Sequence, residues 1–339
     1  MCIRDRLVIG FNSVPSNYDP LNGFYNGVQI LYSALVQTNA DMEIVSDLAT
    51  DYTVNEDALT YTFILRDGAE FSDGTAITAE DVIFSFETAK GNASSLDLSK
   101  MESISANGNE ITIRLNKPDS TFILTVCNVG IVPKASYGED FALNPISSGP
   151  YKLVQYDVDQ QFILEANEHY YGAAPGISRV VFVKMADQDT RLMAVQSGQV
   201  DVTLTSAVVA ANNSVNGYYL LEEETVDNFG IAMPYTERQA EKNEYGYAVG
   251  NDFTCDITIR KALAYGLDRQ RVCEEALNGY GVPAYSENDG MPWYNPESEI
   301  EFDLAYAQSL LDDAGWVDTD GDGIREKNGV KASTTLLYS

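Results

Sequence analysis

Residues 59–90 read LTYTFILRDGAEFSDGTAITAEDVIFSFETAK, and the pattern of this stretch changes three times. Tyr61, Phe63 and Leu65 alternate with Thr60, Thr62, Ile64 and Arg66, the period of a strand with one face against a core. Arg66-Asp67-Gly68 and Ser72-Asp73-Gly74 follow, two turn signals with Phe71 held between them, in which glycine takes positive φ and aspartate bonds to its own backbone. Thr78 then stands three residues before Asp81, an N-cap pattern, and Val82, Ile83, Phe84, Phe86 and Ala89 supply the apolar face of a helix. The block reads as strand, double turn and capped helix. Its acids lie in turns and at a helix start, where solvation and capping account for them.

Downstream, Asn107-Gly108 separates Ile104 from the alternating run at 111–115, a hairpin signal that closes a small α+β unit. Upstream, residues 7–10 read as a first strand and 13–23 as a polar loop containing Asp19-Pro20. Val28, Leu31, Tyr32, Leu35 and Val36 recur at helical spacing and predict an amphipathic helix over 28–36. Just before it, Phe24 and Tyr25 suit a hydrophobic staple or core contact, and Asn26 an N-cap. The stretch NPISSGPY at 144–151 turns at Gly149-Pro150 into a strand, with 162–165 as its hairpin partner. A phosphate-binding loop is excluded there, because the glycine spacing and the following Lys-Ser/Thr are absent. Residues 180–183 predict another strand, and 190–201 a helix stopped at Gly198 and followed by a strand. Residues 226–234, VDNFGIAMP, predict a strand, and 235–252 a surface excursion. Helices are expected at 259–269, with Ile259, Leu263 and Leu267 on one face, and from 306 to Trp316.

Length and composition bound the function. A chain of 339 residues suggests two or three domains. With 51 acidic against 21 basic residues and a net charge of −30, there is no clustered cationic surface for nucleic acid or anionic membrane. Cys2, Cys127, Cys255 and Cys273 show no metal spacing, and a Cys255–Cys273 disulfide and two buried thiols both fit. His169 is the one histidine of the chain. Residues 1–6 lack the apolar run of a signal peptide, and no later run reaches the length of a membrane span. Asp318, Asp320 and Asp322 with Gly323 occupy positions 1, 3, 5 and 6 of a calcium loop, but position 12 is Gly329 where a bidentate glutamate is required. A solvated Asp/Gly turn before a hairpin ending near Leu337 competes with that reading.

The quoted block, together with NPISSGPY, Asn167-Glu168-His169-Tyr170-Tyr171-Gly172, the run TRLMAVQSGQVD at 190–201, Ile259 to Arg269 and the helix ending Gly315-Trp316, resembles the peptide/nickel class of extracytoplasmic solute-binding proteins. These are the oligopeptide- and dipeptide-binding receptors of ABC importers (solute-binding protein family 5), and the likeness runs over nearly all of 7–339. It implies an α/β, two-lobed, type II periplasmic-binding-protein-like fold with an extra small α+β domain. Lobe I would comprise 7–44 and 143–225, the inserted small domain 45–142, and an incomplete lobe II 226–339.

The resemblance also implies a function. A short peptide or a related small solute, such as a nickel chelate, binds between the lobes and is delivered to the membrane permease subunits of the transporter. No enzyme chemistry, cofactor, nucleic acid or membrane insertion is implied. Localisation would be extracytoplasmic, in the periplasm or on the cell surface, with a lipid anchor in the full-length protein. Ligand-side positions carried over are Phe24, Tyr25, Asn26, Asn128, Asn228, Trp293 and Tyr294, each of which also has a packing or scaffold reading. An acidic carboxylate-dependent hydrolase and a calcium-dependent surface module are the rival functions. Family members run well beyond residue 339 and place the acid that holds a peptide's amino terminus there. Residues 1–339 alone are therefore expected to bind no peptide usefully, and the part after about 226 to exchange hydrogen faster than 59–90.

Overall fold

The computed structural model describes residues 5–22, 28–92, 96–223, 225, 227–291 and 293–336. Its contacts divide the chain into a first unit of Met1–Val209 with Ser214–Tyr219 and a second of Ala210–Asn213 with Leu220–Ser339. The first unit runs β1 (Arg6–Phe11), α1 (Val28–Leu31), β2 (Val36–Thr38), β3 (Ile44–Ser46), β4 (Ala49–Val54), β5 (Thr60–Leu65), α2 (Ala79–Gly91), β6 (Met101–Asn107), β7 (Glu110–Leu115), α3 (Phe122–Val126), β8 (Tyr151–Asp157), β9 (Gln161–Ala166), β10 (Arg179–Lys184), α4 (Gln188–Gln196) and β11 (Val202–Thr203). Helix α5 (Ala207–Asn212) spans the division, and α6 (Ile257–Gly266), α7 (Arg269–Leu277), α8 (Leu304–Asp313), β12 (Glu326–Lys327) and β13 (Val330–Lys331) belong to the second unit.

The alternation of the 59–90 block becomes β5, one of two inner strands of an antiparallel sheet in the order β4-β5-β7-β6. Tyr61 and Phe63 lie opposite Ile113 and Ile111 of β7, and all four side chains are buried while Ile64 faces out. Burying an aromatic or branched side chain contributes about 1.5–3 kcal/mol, so this face is the main store of stability in the sheet. Gly68 and Gly74 have φ of +71° and +81°, as the two turns require. The amide of Thr78 donates to Asp81 Oδ2 at 2.9 Å, one arm of a capping box at the start of α2. Asp81 also accepts from the Lys134 amide at 2.9 Å, so the capping residue ties a remote loop to the helix start.

A five-stranded sheet in the order β11-β1-β10-β9-β8 forms the other part of the first unit. Strand β1 lies parallel to β10 and β11, whereas β10-β9 and β9-β8 are antiparallel, β8-β9 being the expected hairpin. Helix α4 starts on Asp187, whose side chain accepts from the Thr190 amide. Inside α4, buried Arg191 donates to the carbonyls of Met185, Ala186 and Leu204 and fastens the helix to the strand ends.

Two local expectations fail, for opposite reasons. The helix expected over 28–36 stops at Leu31, and Val36 opens β2. Tyr32, Ser33, Ala34 and Leu35 are all buried, not amphipathic, and their backbone groups bond far from home. The Ala34 amide donates to Asp47 Oδ2 and the Ser33 amide to Ser148 Oγ. The Ser148 and Gly149 amides donate to the Leu31 carbonyl, and the Leu48 amide to that of Ala34. A Cβ on Gly149 would lie 2.8 Å from the Leu31 carbonyl carbon, so glycine is needed there for close backbone approach as well as for the turn. The strand expected at 226–234 is absent among its described residues, because no ladder partner pairs with it, and Phe229 is fully exposed.

In the second unit α6 and α8 pack around Trp316, Ile259, Ala262 and Ala307, all buried. Asp256 caps α6 through the Thr258 amide and accepts from Trp316 Nε1 at 2.9 Å and Lys327 Nζ at 3.0 Å. Burial opposes ionisation of this carboxylate, but the bonds from Trp316, Thr258 and Lys327 outweigh it and hold its pKa well below the usual range. The hairpin falls at β12-β13, before the position expected, and Leu337 lies outside the described residues. Cys127, Cys255 and Cys273 are free thiols, which removes the Cys255–Cys273 disulfide. Cys2 lies outside the described residues.

Candidate functional site

Phe24, Tyr25 and Asn26 lie outside the described residues. Asn128 is exposed at the end of α3, and its Nδ2 donates to the Leu124 carbonyl at 2.8 Å, closing the last turn of that helix. The bond satisfies a carbonyl at the helix end.

The three candidates of the second unit converge on one loop. Asn228 Nδ2 donates to the Ser286 carbonyl at 3.3 Å, and Trp293 Nε1 donates to Asn288 Oδ1 at 3.1 Å. Asp289 holds the turn between them, accepting from the amides of Tyr285 and Ser286 at 2.7 and 2.8 Å and from the Ser286 hydroxyl at 2.7 Å. Burial again opposes these bonds, yet together with the Arg269 charge they hold the pKa of Asp289 below its ordinary value. Tyr294 donates its hydroxyl to Glu299 Oε1 at 3.1 Å. Trp293 is 50% exposed with its ring edge pinned, and Phe229 follows Asn228 fully exposed. An exposed, fixed indole beside an amide side chain can stack on a ligand and orient it. Phe229 escaped the sequence reading because a strand would have paired it. Its place in an apolar run flanked by Asn228 and Gly230 is the signal available.

The first unit holds a buried polar network that the sequence did not reveal. Tyr171 OH bridges Asp47 Oδ1 and Ser33 Oγ, the latter at 2.8 Å, while Arg66 lies 4.9 Å from the Tyr171 ring centroid. Burial raises the Asp47 pKa, and the bonds from Tyr171, Ala34 and Ser33 and the Arg66 charge offset it only in part. The network joins the chain after α1, the start of β4 and the 167–172 turn, and so fixes scaffold. His169 in that turn meets Glu70 at 2.8 Å and packs on Gly74, where a Cβ would lie 3.2 Å from its ring.

In the aspartate-rich turn, Asp318 and Asp320 converge with Glu326, one oxygen of each lying within 4.8 Å of the others, and Asp322 is not part of this group. Asp318 accepts from the Gly321 and Gly323 amides at 2.7 and 2.9 Å. Lys331 pairs with Asp322 and reaches Asp320 at 3.3 Å, so the chain brings its own cation to these carboxylates. Glu326 was missed because the reading counted to position 12 of the loop, and β12 places position 9 there instead.

A mixed α/β first unit carrying these two sheets, followed by a helical unit with an aromatic loop, has the fold of bacterial periplasmic binding proteins. Residues 43–339 match the model of bacterial extracellular solute-binding proteins, family 5 Middle. The chain belongs to this family of solute-binding proteins. It is 31% identical to Protein XP55 of Streptomyces lividans over 98% of this chain and 61% of that protein. NikZ of Campylobacter jejuni, solved with Ni(L-His), superposes with a TM-score of 0.75 at 26% identity, over 96% of this chain and 66% of the other. AppA of Bacillus subtilis, solved with a nonapeptide, gives a TM-score of 0.70 at 25% identity, over 96% and 67%. The chain thus spans about three fifths of the length of the curated relative quoted. Among the described residues no helix is long and apolar enough to cross a membrane.

Proposed function

We propose that the protein is the substrate-binding receptor of an ABC importer, capturing a short peptide or a related small solute and handing it to the membrane permease subunits without converting it. The observation that carries this reading is the family match over 43–339. It is supported by the likeness to one structure holding a nonapeptide and to another holding a nickel chelate. The pinned, exposed Trp293 with Asn228 and Tyr294 supplies the contacts expected of a ligand wall, while the 45–142 portion with its four-stranded sheet serves as an inserted scaffold domain within lobe I. Work outside the cytoplasmic membrane and a lipid anchor on the full-length protein belong to the same reading.

Calorimetry of the full-length protein against a short-peptide library and against Ni(L-His), with mass analysis of each ligand afterwards, tests it. Saturable binding with the ligand recovered intact is expected. Turnover of a bound peptide would favour the carboxylate hydrolase and overturn the receptor.

A further inference from the structure

We infer that the groove between α6 and α8 of the second unit is a packing surface for the protein's own polypeptide from beyond residue 339. The two helices meet closely, since a Cβ on Gly266 would lie 3.6 Å from that of Ala307 and the rings of Tyr265 and Tyr306 stand edge to face at 4.8 Å. They leave a groove of about 310 Å³, lined among others by Ile259, Leu263, Leu267, Leu304, Leu311 and Trp316. A helix in a folded domain buries its apolar stripe against a neighbouring element. In the first unit α2 does so, with Val82, Phe86 and Ala89 all buried. The stripes of α6 and α8 cover one another only in part. Ile259, Ala262 and Ala307 are buried, but Leu263, Leu267 and Leu304 remain 46%, 43% and 51% exposed.

The chemistry of the lining decides what covers it. Its polar side chains are Gln308 and Arg325, and the Arg325 guanidinium is already engaged by the Trp316 carbonyl at 2.6 Å and by Asp312. A solute site sets several polar groups to orient its ligand, whereas this groove offers a peptide's charged ends or a chelate one side-chain amide. A groove of this size seats a few apolar side chains, far less than the extended interface of a stable dimer. Further polypeptide fits both limits. The likeness to Protein XP55 covers 61% of that protein, and those to NikZ and AppA cover 66% and 67% of their chains, so these relatives carry polypeptide with no counterpart in 1–339. Ala332, just past β13, lines the same groove, so the sequence that follows it needs no long connection to reach the open leucines.

Hydroxyl-radical footprinting of the full-length protein without added solute reads the groove directly, each labelling rate being taken against that of the same residue in the urea-unfolded protein. Leu263, Leu267 and Leu304 are expected to be labelled severalfold more slowly than Val158, which is 71% exposed in the β8–β9 turn of the first unit. With Leu304 replaced by p-benzoylphenylalanine, irradiation should give crosslinks within one chain to residues beyond 339. Labelling of the three leucines at the rate of Val158 overturns the inference. Crosslinks between two chains overturn it too, because the occupant would then be a second copy. Protection that appears only with a saturating peptide found by calorimetry also overturns it, since the groove would then be a solute site.

Discussion

Two aromatic-rich regions of this chain behave in opposite ways. In the 59–90 block Tyr61, Phe63, Phe71 and Phe86 are all buried, each placed by a ladder, a turn or a capped helix. Around the 284–294 loop, Phe229 and Trp293 are exposed, with the indole tied to Asn288, the Asn228 side chain next to Phe229 tied to Ser286, and Asp289 clamping the turn. The same residue types are structural where the backbone's hydrogen bonds are satisfied by a sheet. They stay exposed where a polar clamp shapes the loop.

The largest difference between the regions should appear in truncation to alanine. Phe63→Ala is expected to cost about 3–5 kcal/mol, and Trp293→Ala no more than about 1 kcal/mol, in urea unfolding of the two variants. Similar costs for both would dissolve the contrast. Next in size is Gly149→Ala, which forces a Cβ against the Leu31 backbone. A loss of about 1–3 kcal/mol is expected by the same assay, and a neutral result would mean that the close approach is not made.

Two carboxylates sharpen the contrast through pH. Asp256 of the second unit has a depressed pKa, so its contribution is present above the ordinary aspartate range and is lost as pH falls toward the folded value. Asp47 of the first unit has a raised pKa. Its contribution is present in acid and is lost as pH rises through the folded value. Asp256→Asn should therefore flatten the acid limb of the stability profile, with a red shift of Trp316 emission. Asp47→Asn should remove a slope of the opposite sign in the window just above the ordinary aspartate pKa. Equal slopes in the two variants would show that one of the two shifts has been assigned the wrong sign.

Much of the scaffold was legible because its signals are local. The alternation at 60–65, the glycines at 68 and 74 and the Thr78–Asp81 spacing all act within a few residues, and each has the expected consequence in the structure. The 28–36 stretch misled because its helical spacing records burial on every side. What ends the helix is bonding to Asp47, Ser148 and Gly149, which no local pattern reveals. Trp293 and Asn228 could be picked out singly as a Pro-flanked aromatic and a polar residue in an apolar run. That both are fixed to one short turn depends on contacts between segments some 58 residues apart.

Hydrogen exchange on the full-length protein, with and without a saturating peptide found by calorimetry, tests most directly whether this chain binds through the one region and is held together by the other. The peptide should add protection at 227–231 and 284–294, leave 59–90 unchanged and already slow, and be recovered with its mass intact. Protection gained in 59–90 but not in the aromatic loop, or a cleaved peptide, would contradict the account.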